Sequence, residues 1–213
     1  MVGADASRGI AVRRQRRVVT WGILVGFYVT AGCGRGGNAA RGGGSFQPLE
    51  LGDQVPLYAI ATLRGDTARV GSGEPVTVLN VWATWCTSCR EEMETLDSLY
   101  DEFARRGVRV LAVSVDRGGD AVVRRYAEHL GLRMSVAHDA EGVVQDRFRI
   151  LGVPTTFIID STGTLRWRRL GSVIGAAGEA RAELKRILAG REVTGEGVRP
   201  NHAYPARGID FHP

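Results

Sequence analysis

The sequence predicts an α/β domain: a mixed central sheet with helices on both faces, an N-terminal β-hairpin and an inserted strand–helix element. Three observations carry this. Val76–Trp82 and Val108–Val115 are near-continuous apolar runs, the composition of strands buried on both faces. Between them Met93, Leu96, Tyr100 and Phe103 recur at helical spacing. Strand, helix, strand in that order implies a parallel pair with a right-handed crossover. Two later strands, Thr156–Asp160 and Thr164–Leu170, turn at Ser161-Thr162-Gly163 and imply an antiparallel hairpin closing the sheet.

The elements follow in order. Val55–Leu63 and Asp66–Val70 form a short hairpin turned at Arg64-Gly65-Asp66. After the strand Val76–Trp82, a helix runs from about Cys86 to Arg105, and the strand Val108–Val115 follows. Asp120–Leu130 is helical, with Val122, Val123, Tyr126 and Leu130 on its apolar face. Ser135–Ala137 is a short strand and Val143–Phe148 a short helix. The closing hairpin leads to a last helix, Gly175–Leu188. No internal repeat is apparent.

The two ends read differently from the middle. Arg13, Arg14, Arg16 and Arg17 precede an uncharged stretch, residues 18–32, and then Cys33. That is the order of an export signal. The apolar run is shorter than the roughly 20 residues of a membrane-spanning helix. Thr30-Ala31-Gly32-Cys33 resembles a bacterial lipoprotein signal, with Thr30 where leucine is usual; Cys33 would then be lipidated and become the new N-terminus. An uncleaved anchor and ordinary cleavage are the other outcomes of the same pattern. The paired arginines also fit twin-arginine export. Residues 1–33 are thus read as an export signal ending in a candidate lipidated cysteine, and 34–45 as a Gly-rich tether. Residues 46–194 form the domain and 195–213 an irregular tail, whose His202 and His212 are read as solvated.

Charge points away from polyanions. The formal net charge is +5, and residues 1–17 hold five arginines against one aspartate, a net +4. The chain beyond the signal is therefore nearly neutral, and no nucleic-acid partner is expected.

The chemistry sits in Trp82-Ala83-Thr84-Trp85-Cys86-Thr87-Ser88-Cys89, where a strand ends and a helix begins. A helix N-terminus has unpaired N–H groups and the positive end of the dipole, so a thiolate is favoured at Cys86. Cys89 lies one turn further along the same face, within reach of Cys86 and less exposed. The pattern reads as attack by Cys86, a mixed disulfide with the substrate, and resolution by Cys89. Such a pair can also be half of a zinc site, but the chain has no second pair; no metal and no cofactor is expected. With Cys33 lipidated, Cys86 and Cys89 are the only thiols, and so close a pair staples little chain.

About 65 residues further on stands Leu151-Gly152-Val153-Pro154-Thr155-Thr156, directly before a strand. With the cysteine motif, this resembles the TlpA/ResA-type thioredoxins, membrane-tethered extracytoplasmic thiol–disulfide oxidoreductases of bacteria. The resemblance covers roughly residues 46–190. It implies a thioredoxin fold, with the hairpin and the strand–helix insertion, Ala112–Leu130, as features of this branch. It implies that Cys86 is the exposed nucleophile and Cys89 the resolving cysteine. Pro154 matches the proline of a cis bond, which costs about 0.5–1 kcal/mol at an X-Pro site. Trp85, Val153, Pro154 and Thr155 then line the substrate side, and the Val153 backbone pairs with an extended substrate strand. Glu92 matches a glutamate under the cysteine pair that moves the proton of the buried thiol, with burial raising its pKa. Glu91 and Glu94 are expected to be solvated.

Three features depart from the pattern or vary within it. Glu94 stands where the family often has a helix-bending proline. Thr87-Ser88 lacks the common proline, so the reduction potential is not transferable. Asn80 replaces the buried aspartate of cytoplasmic thioredoxins, as is usual in this branch.

The implied function is reduction of protein disulfides outside the cytoplasm, for example in cytochrome c maturation. Its partners are a protein disulfide substrate, a membrane thiol electron donor, and the membrane through a lipid or N-terminal anchor. Two alternatives share the topology. A peroxiredoxin-type thiol peroxidase needs a Pro-x-x-x-Thr/Ser-x-x-Cys pattern, and Ala83 stands at its hydroxyl position. A copper-binding chaperone needs a wider cysteine gap and a histidine ligand, for which His138, expected in an exposed turn, is nearest.

Overall fold

The structure, a computed structural model, describes residues 47–194. The stretches read from the sequence as an export signal with Cys33, a tether and a tail with His202 and His212 lie outside the described residues. A two-stranded hairpin comes first, β1 (Tyr58–Ala61) and β2 (Thr67–Val70). Then come β3 (Thr77–Trp82), α1 (Thr87–Phe103), β4 (Arg109–Ser114), α2 (Ala121–His129), β5 (Ser135–His138) and α3 (Val143–Arg147). β6 (Thr155–Ile159), β7 (Leu165–Leu170) and α4 (Ala177–Thr194) complete the fold.

Five strands form one sheet in the order β5-β4-β3-β6-β7. β3 pairs parallel with β4, and β4 with β5, whereas β6 runs antiparallel to both β3 and β7. All six residues of β3 are buried, as expected for the central strand of a sheet covered on both sides. Alternation along the strands shows which helices cover which face. Asn80 and Trp82 share one face of β3; they meet Glu92 of α1 and Tyr126 of α2. Arg181 ties α4 to α1 through Glu102, so these three helices share that face. On the opposite face Phe157 of β6 packs on Phe148, which follows α3, and Phe148 packs edge-on to Tyr58 of β1.

The chain before β3 crosses that second face from edge to edge. Gln54 bridges to Thr164 beside β7, and Thr62 bridges to Ala137 of β5. The Thr62 bridge occupies part of the outer strand β5, which would otherwise offer open backbone groups to another chain, and the Gln54 bridge lies just before β7.

Two expectations are corrected. On α2 only Val123 is buried, with Tyr126 and Ala127 packed against the core; Val122 is 49% and Leu130 36% exposed. Val122 lies about 100° around the helix from Val123, outside the narrow stripe a nine-residue helix presents, and Leu130 falls after the last helical residue. The last helix continues past Leu188 to Thr194, because Gly190 is carried inside it. An interior glycine costs only about 1 kcal/mol, too little to stop a packed helix.

Candidate active site

The register of the sheet brings the two motifs together. Val81 of β3 pairs with Thr155 of β6, so the end of one strand meets the beginning of its antiparallel neighbour. The loop leaving β3 ends at Cys86, with Cys89 in the first turn of α1, and the loop entering β6 carries Pro154.

Cys86 is the N-cap of α1, with extended backbone (φ −89°, ψ 110°). Its Sγ accepts the Cys89 N–H at 3.3 Å, one of the donors left unpaired at a helix start. The two Sγ atoms are joined in a disulfide, 2.17 Å apart. Cys86 keeps 8% of its surface, whereas Cys89 has none. Thr87 is exposed, and Ser88 Oγ lies 3.5 Å from Cys86 Sγ. Trp85 is 68% exposed, a large apolar side chain standing in solvent beside the disulfide.

The Val153–Pro154 bond is cis, and the Val153 carbonyl oxygen lies 3.9 Å from Cys86 Sγ. Thr155 Oγ1 donates to Gly152 O (2.6 Å), and Gly171 N donates to Pro154 O (2.8 Å). These bonds hold the loop from within and from the end of β7. Pro154 and Thr155 are buried, and Val153 is half-buried.

Glu92 is wholly buried. Its Oε1 accepts from Asn80 Nδ2 (2.7 Å) and its Oε2 from the Val173 N–H (2.7 Å). Burial pushes its pKa above the ordinary carboxylate value, while the bonds from Val173, Asn80 and Ser172 pull it partly back. Asn80 Nδ2 also donates to Thr156 Oγ1 (3.0 Å), and Asn80 Oδ1 has no partner. Glu91 and Glu94 are exposed, and α1 passes Glu94 without interruption. Val173 and Thr156 were not singled out from the sequence; a register argument pairing Asn80 with Thr156 would have found the latter.

A second polar group was also missed. Asp116, just past β4, is buried and accepts from Thr84 N (2.9 Å), Thr84 Oγ1 (2.6 Å) and Ser114 Oγ (2.6 Å). His138 is corrected: it lies in β5, half-buried, not in an exposed turn. Its Nε2 is 2.8 Å from the Asp116 carbonyl oxygen, which can only accept, so Nε2 carries the proton. Among the described residues no three His, Cys, Asp or Glu side chains are grouped to hold a metal ion.

Residues 51–168 match the model of the AhpC/TSA family. The thiol-disulfide oxidoreductase ResA of Oceanobacillus iheyensis is 40% identical over 88 residues. That match covers 41% of this chain and 45% of the relative, less than half the relative's length. The ResA of Geobacillus kaustophilus is 32% identical over 120 residues, 55% of this chain and 68% of the relative. In fold, the chain is similar to the crystal structure of the thioredoxin domain of a thiol-disulfide oxidoreductase from Bacteroides vulgatus. The TM-score is 0.56 at 22% identity, over 65% of this chain and 99% of that domain. A cysteine pair capping a helix, set against a cis-proline loop on the neighbouring strand, agrees with these matches, and the chain belongs to the AhpC/TSA family, among its thioredoxin-like, ResA-type thiol–disulfide oxidoreductases.

Proposed function

We propose that this protein reduces disulfides in other proteins outside the cytoplasm, working from a membrane tether. The observation that carries the reading is the position of Cys86 Sγ. It lies on the Cys89 N–H at the start of α1 and faces the Val153 carbonyl. In the reduced enzyme the same N–H and the helix dipole favour a Cys86 thiolate.

That thiolate attacks one sulfur of a substrate disulfide. A Cys86–substrate bond forms, and the other substrate sulfur leaves as a thiolate. Cys89 then loses its proton and attacks Cys86 Sγ, releasing the second substrate sulfur. The substrate gains two electrons, and the enzyme is left as the Cys86–Cys89 disulfide. Glu92, one turn beyond Cys89 and with a raised pKa, is the group for the Cys89 proton. The Val153 backbone offers an edge to an extended substrate segment, flanked by Pro154 and Thr155, and the exposed Trp85 supplies apolar contact.

Each turnover needs a dithiol donor, which on this reading is a membrane thiol carrier. On this reading the tether is a lipid carried by Cys33, the cysteine of the lipoprotein-like sequence Thr30-Ala31-Gly32-Cys33. Among the described residues no helix is long and apolar enough to cross a membrane. Closely spaced cysteines, such as those of a cytochrome c awaiting haem, are the substrate class.

The test pairs the reduction potential of the isolated protein with the redox state of Cys86 in cells. A low potential and a reduced pair at steady state are expected. A mostly oxidised pair with a potential near those of strong oxidants would turn the reading into oxidative folding.

A further inference from the structure

The loop that presents Cys86 has few anchors of its own. Ala83, Thr84 and Trp85 span the gap between β3 and α1, and Trp85 stands in solvent. One side chain holds the middle of that gap, and it comes from elsewhere in the chain. Val115 N–H donates to Trp82 O (2.9 Å), extending the β3–β4 ladder one step past both strands. The next residue, Asp116, therefore arrives beside Thr84, with which it shares no sequence neighbourhood. One Asp116 oxygen accepts the Thr84 N–H and the other the Thr84 hydroxyl. Bonds to an ionised acceptor are roughly twice as strong as neutral ones, and two from one residue fix direction as well as distance.

The carboxylate is itself held. Ser114 Oγ donates to Asp116 Oδ2 and accepts from the Asp116 N–H (3.2 Å), and His138 Nε2 donates to the Asp116 carbonyl. Ser114 and His138 are register partners across β4 and β5, so two sheet strands stand behind one side chain. Such backing suits a group that fixes geometry.

We propose that Asp116 is a positioning residue for disulfide exchange: by gripping Thr84 at both its amide and its hydroxyl, it sets the loop that places Cys86 Sγ on the Cys89 N–H and opposite Val153. The inference rests on Cys86 being the attacking thiol. Misplacing a reacting atom by about 1 Å can cost up to about 100-fold in rate. Loss of the grip is expected to slow exchange with a protein disulfide about tenfold. It also moves the Cys86 thiol toward ordinary behaviour, because the N-cap bond loosens.

The experiment compares reduced full-length protein with Asp116→Ala, Asp116→Asn, Thr84→Val and Asp97→Asn. Iodoacetamide labelling is followed across pH, and the labelled cysteine is identified by mass spectrometry. Thr84→Val removes one bond without changing charge, so it remains informative if Asp116→Ala folds poorly. Asp97→Asn perturbs a buried carboxylate remote from the loop and controls for lost stability. The midpoint for Cys86 should move up in Asp116→Ala and Thr84→Val, move less in Asp116→Asn, and stay put in Asp97→Asn. Unchanged midpoints in Asp116→Ala and Thr84→Val overturn the proposal. So does a downward shift in both Asp116 variants with none in Thr84→Val, which reports only a removed charge. First labelling at Cys89 in the wild type overturns the reading of Cys86 and the proposal with it, a result distinct from the other two.

Discussion

Asn80 and Glu92 lie twelve residues apart in the chain and meet in the core, Asn80 Nδ2 donating to Glu92 Oε1 at 2.7 Å. The other end of the Asn80 amide, Oδ1, has no partner. An amide can exchange its ends by rotating. With Oδ1 turned toward Glu92, Asn80 would accept from a protonated carboxyl, and the Thr156 hydroxyl would become the donor. Such an exchange would let the pair meet either protonation state of Glu92, the behaviour proposed for it as an acid–base group, and would leave Nδ2 where Oδ1 now has no partner.

Replacing Glu92 by Gln tests this arrangement through stability as well as rate. The pKa of Glu92 is raised in the folded protein. Between the ordinary carboxylate value and that raised one, the folded state holds more protons than the unfolded state, so stability falls as pH rises. Glu92→Gln removes this penalty, and the turned Asn80 amide accepts the new N–H. The variant should melt a few degrees higher than wild type at neutral pH. The gain should vanish as pH drops toward the ordinary carboxylate range. Turnover should fall about 10- to 100-fold, and thermal unfolding at pH 4 to 8 beside a disulfide-reduction assay checks both effects.

The proposed mechanism gives the two cysteines unequal roles, and trapping tests them. Cys89→Ala leaves Cys86 at the helix start with no resolving thiol, so the mixed disulfide with substrate should accumulate. Of the pair, Cys86→Ala leaves Cys89, which has no exposed surface and should trap little. Non-reducing electrophoresis of each variant after exposure to a protein disulfide measures the difference. Equal trapping by both would contradict the assignment.

Much of this site was legible in the sequence. Val76–Trp82, Cys86-Thr87-Ser88-Cys89 and Leu151-Gly152-Val153-Pro154-Thr155 are local patterns whose residue types state their own geometry. What stayed hidden depends on register between strands. Asp116 holds Thr84 because β4 pairs with β3 in one particular alignment, and neither residue type signals the contact. His138 was misplaced for the same reason: its exposure depends on β5 reaching one residue further than Ala137. Leu130 and Val122 misled differently, since a short helix buries a narrower stripe than its apolar residues suggest.

Two glycines at the turns should respond unequally to alanine. Gly163 has φ +82°, and an added Cβ would lie 2.6 Å from Ser72 N and 3.0 Å from Ser72 Cα, both backbone atoms. Its carbonyl also accepts from Val55 N–H (2.8 Å), so the turn cannot move away freely. Gly163→Ala should cost about 2–4 kcal/mol. Gly65 has φ +91° but open space around it, so Gly65→Ala should cost only about 1–2 kcal/mol. Urea unfolding midpoints measure both, and equal losses would show that the contact with Ser72 is easily relieved.

Asp97 separates an ion pair from the backbone bonds that accompany it. Its Oδ2 meets the Arg133 guanidinium at 3.0–3.1 Å, and its Oδ1 accepts the backbone N–H groups of Arg133 (2.8 Å) and Met134 (3.0 Å). The guanidinium lies in solvent, where screening and side-chain entropy leave an ion pair little net effect. Met134, by contrast, is wholly buried, and its amide has no route to water. Asp97→Ala should therefore cost about 1–3 kcal/mol, the penalty for a buried donor left unpaired. Arg133→Ala keeps both backbone bonds and should change stability little. Asp97→Asn retains an acceptor for the two amides and should fall between them. High salt should erase whatever effect Arg133→Ala shows and leave the Asp97→Ala loss intact. A salt-sensitive Asp97→Ala loss, matched by Arg133→Ala, would assign the tie between α1 and the start of β5 to charge instead.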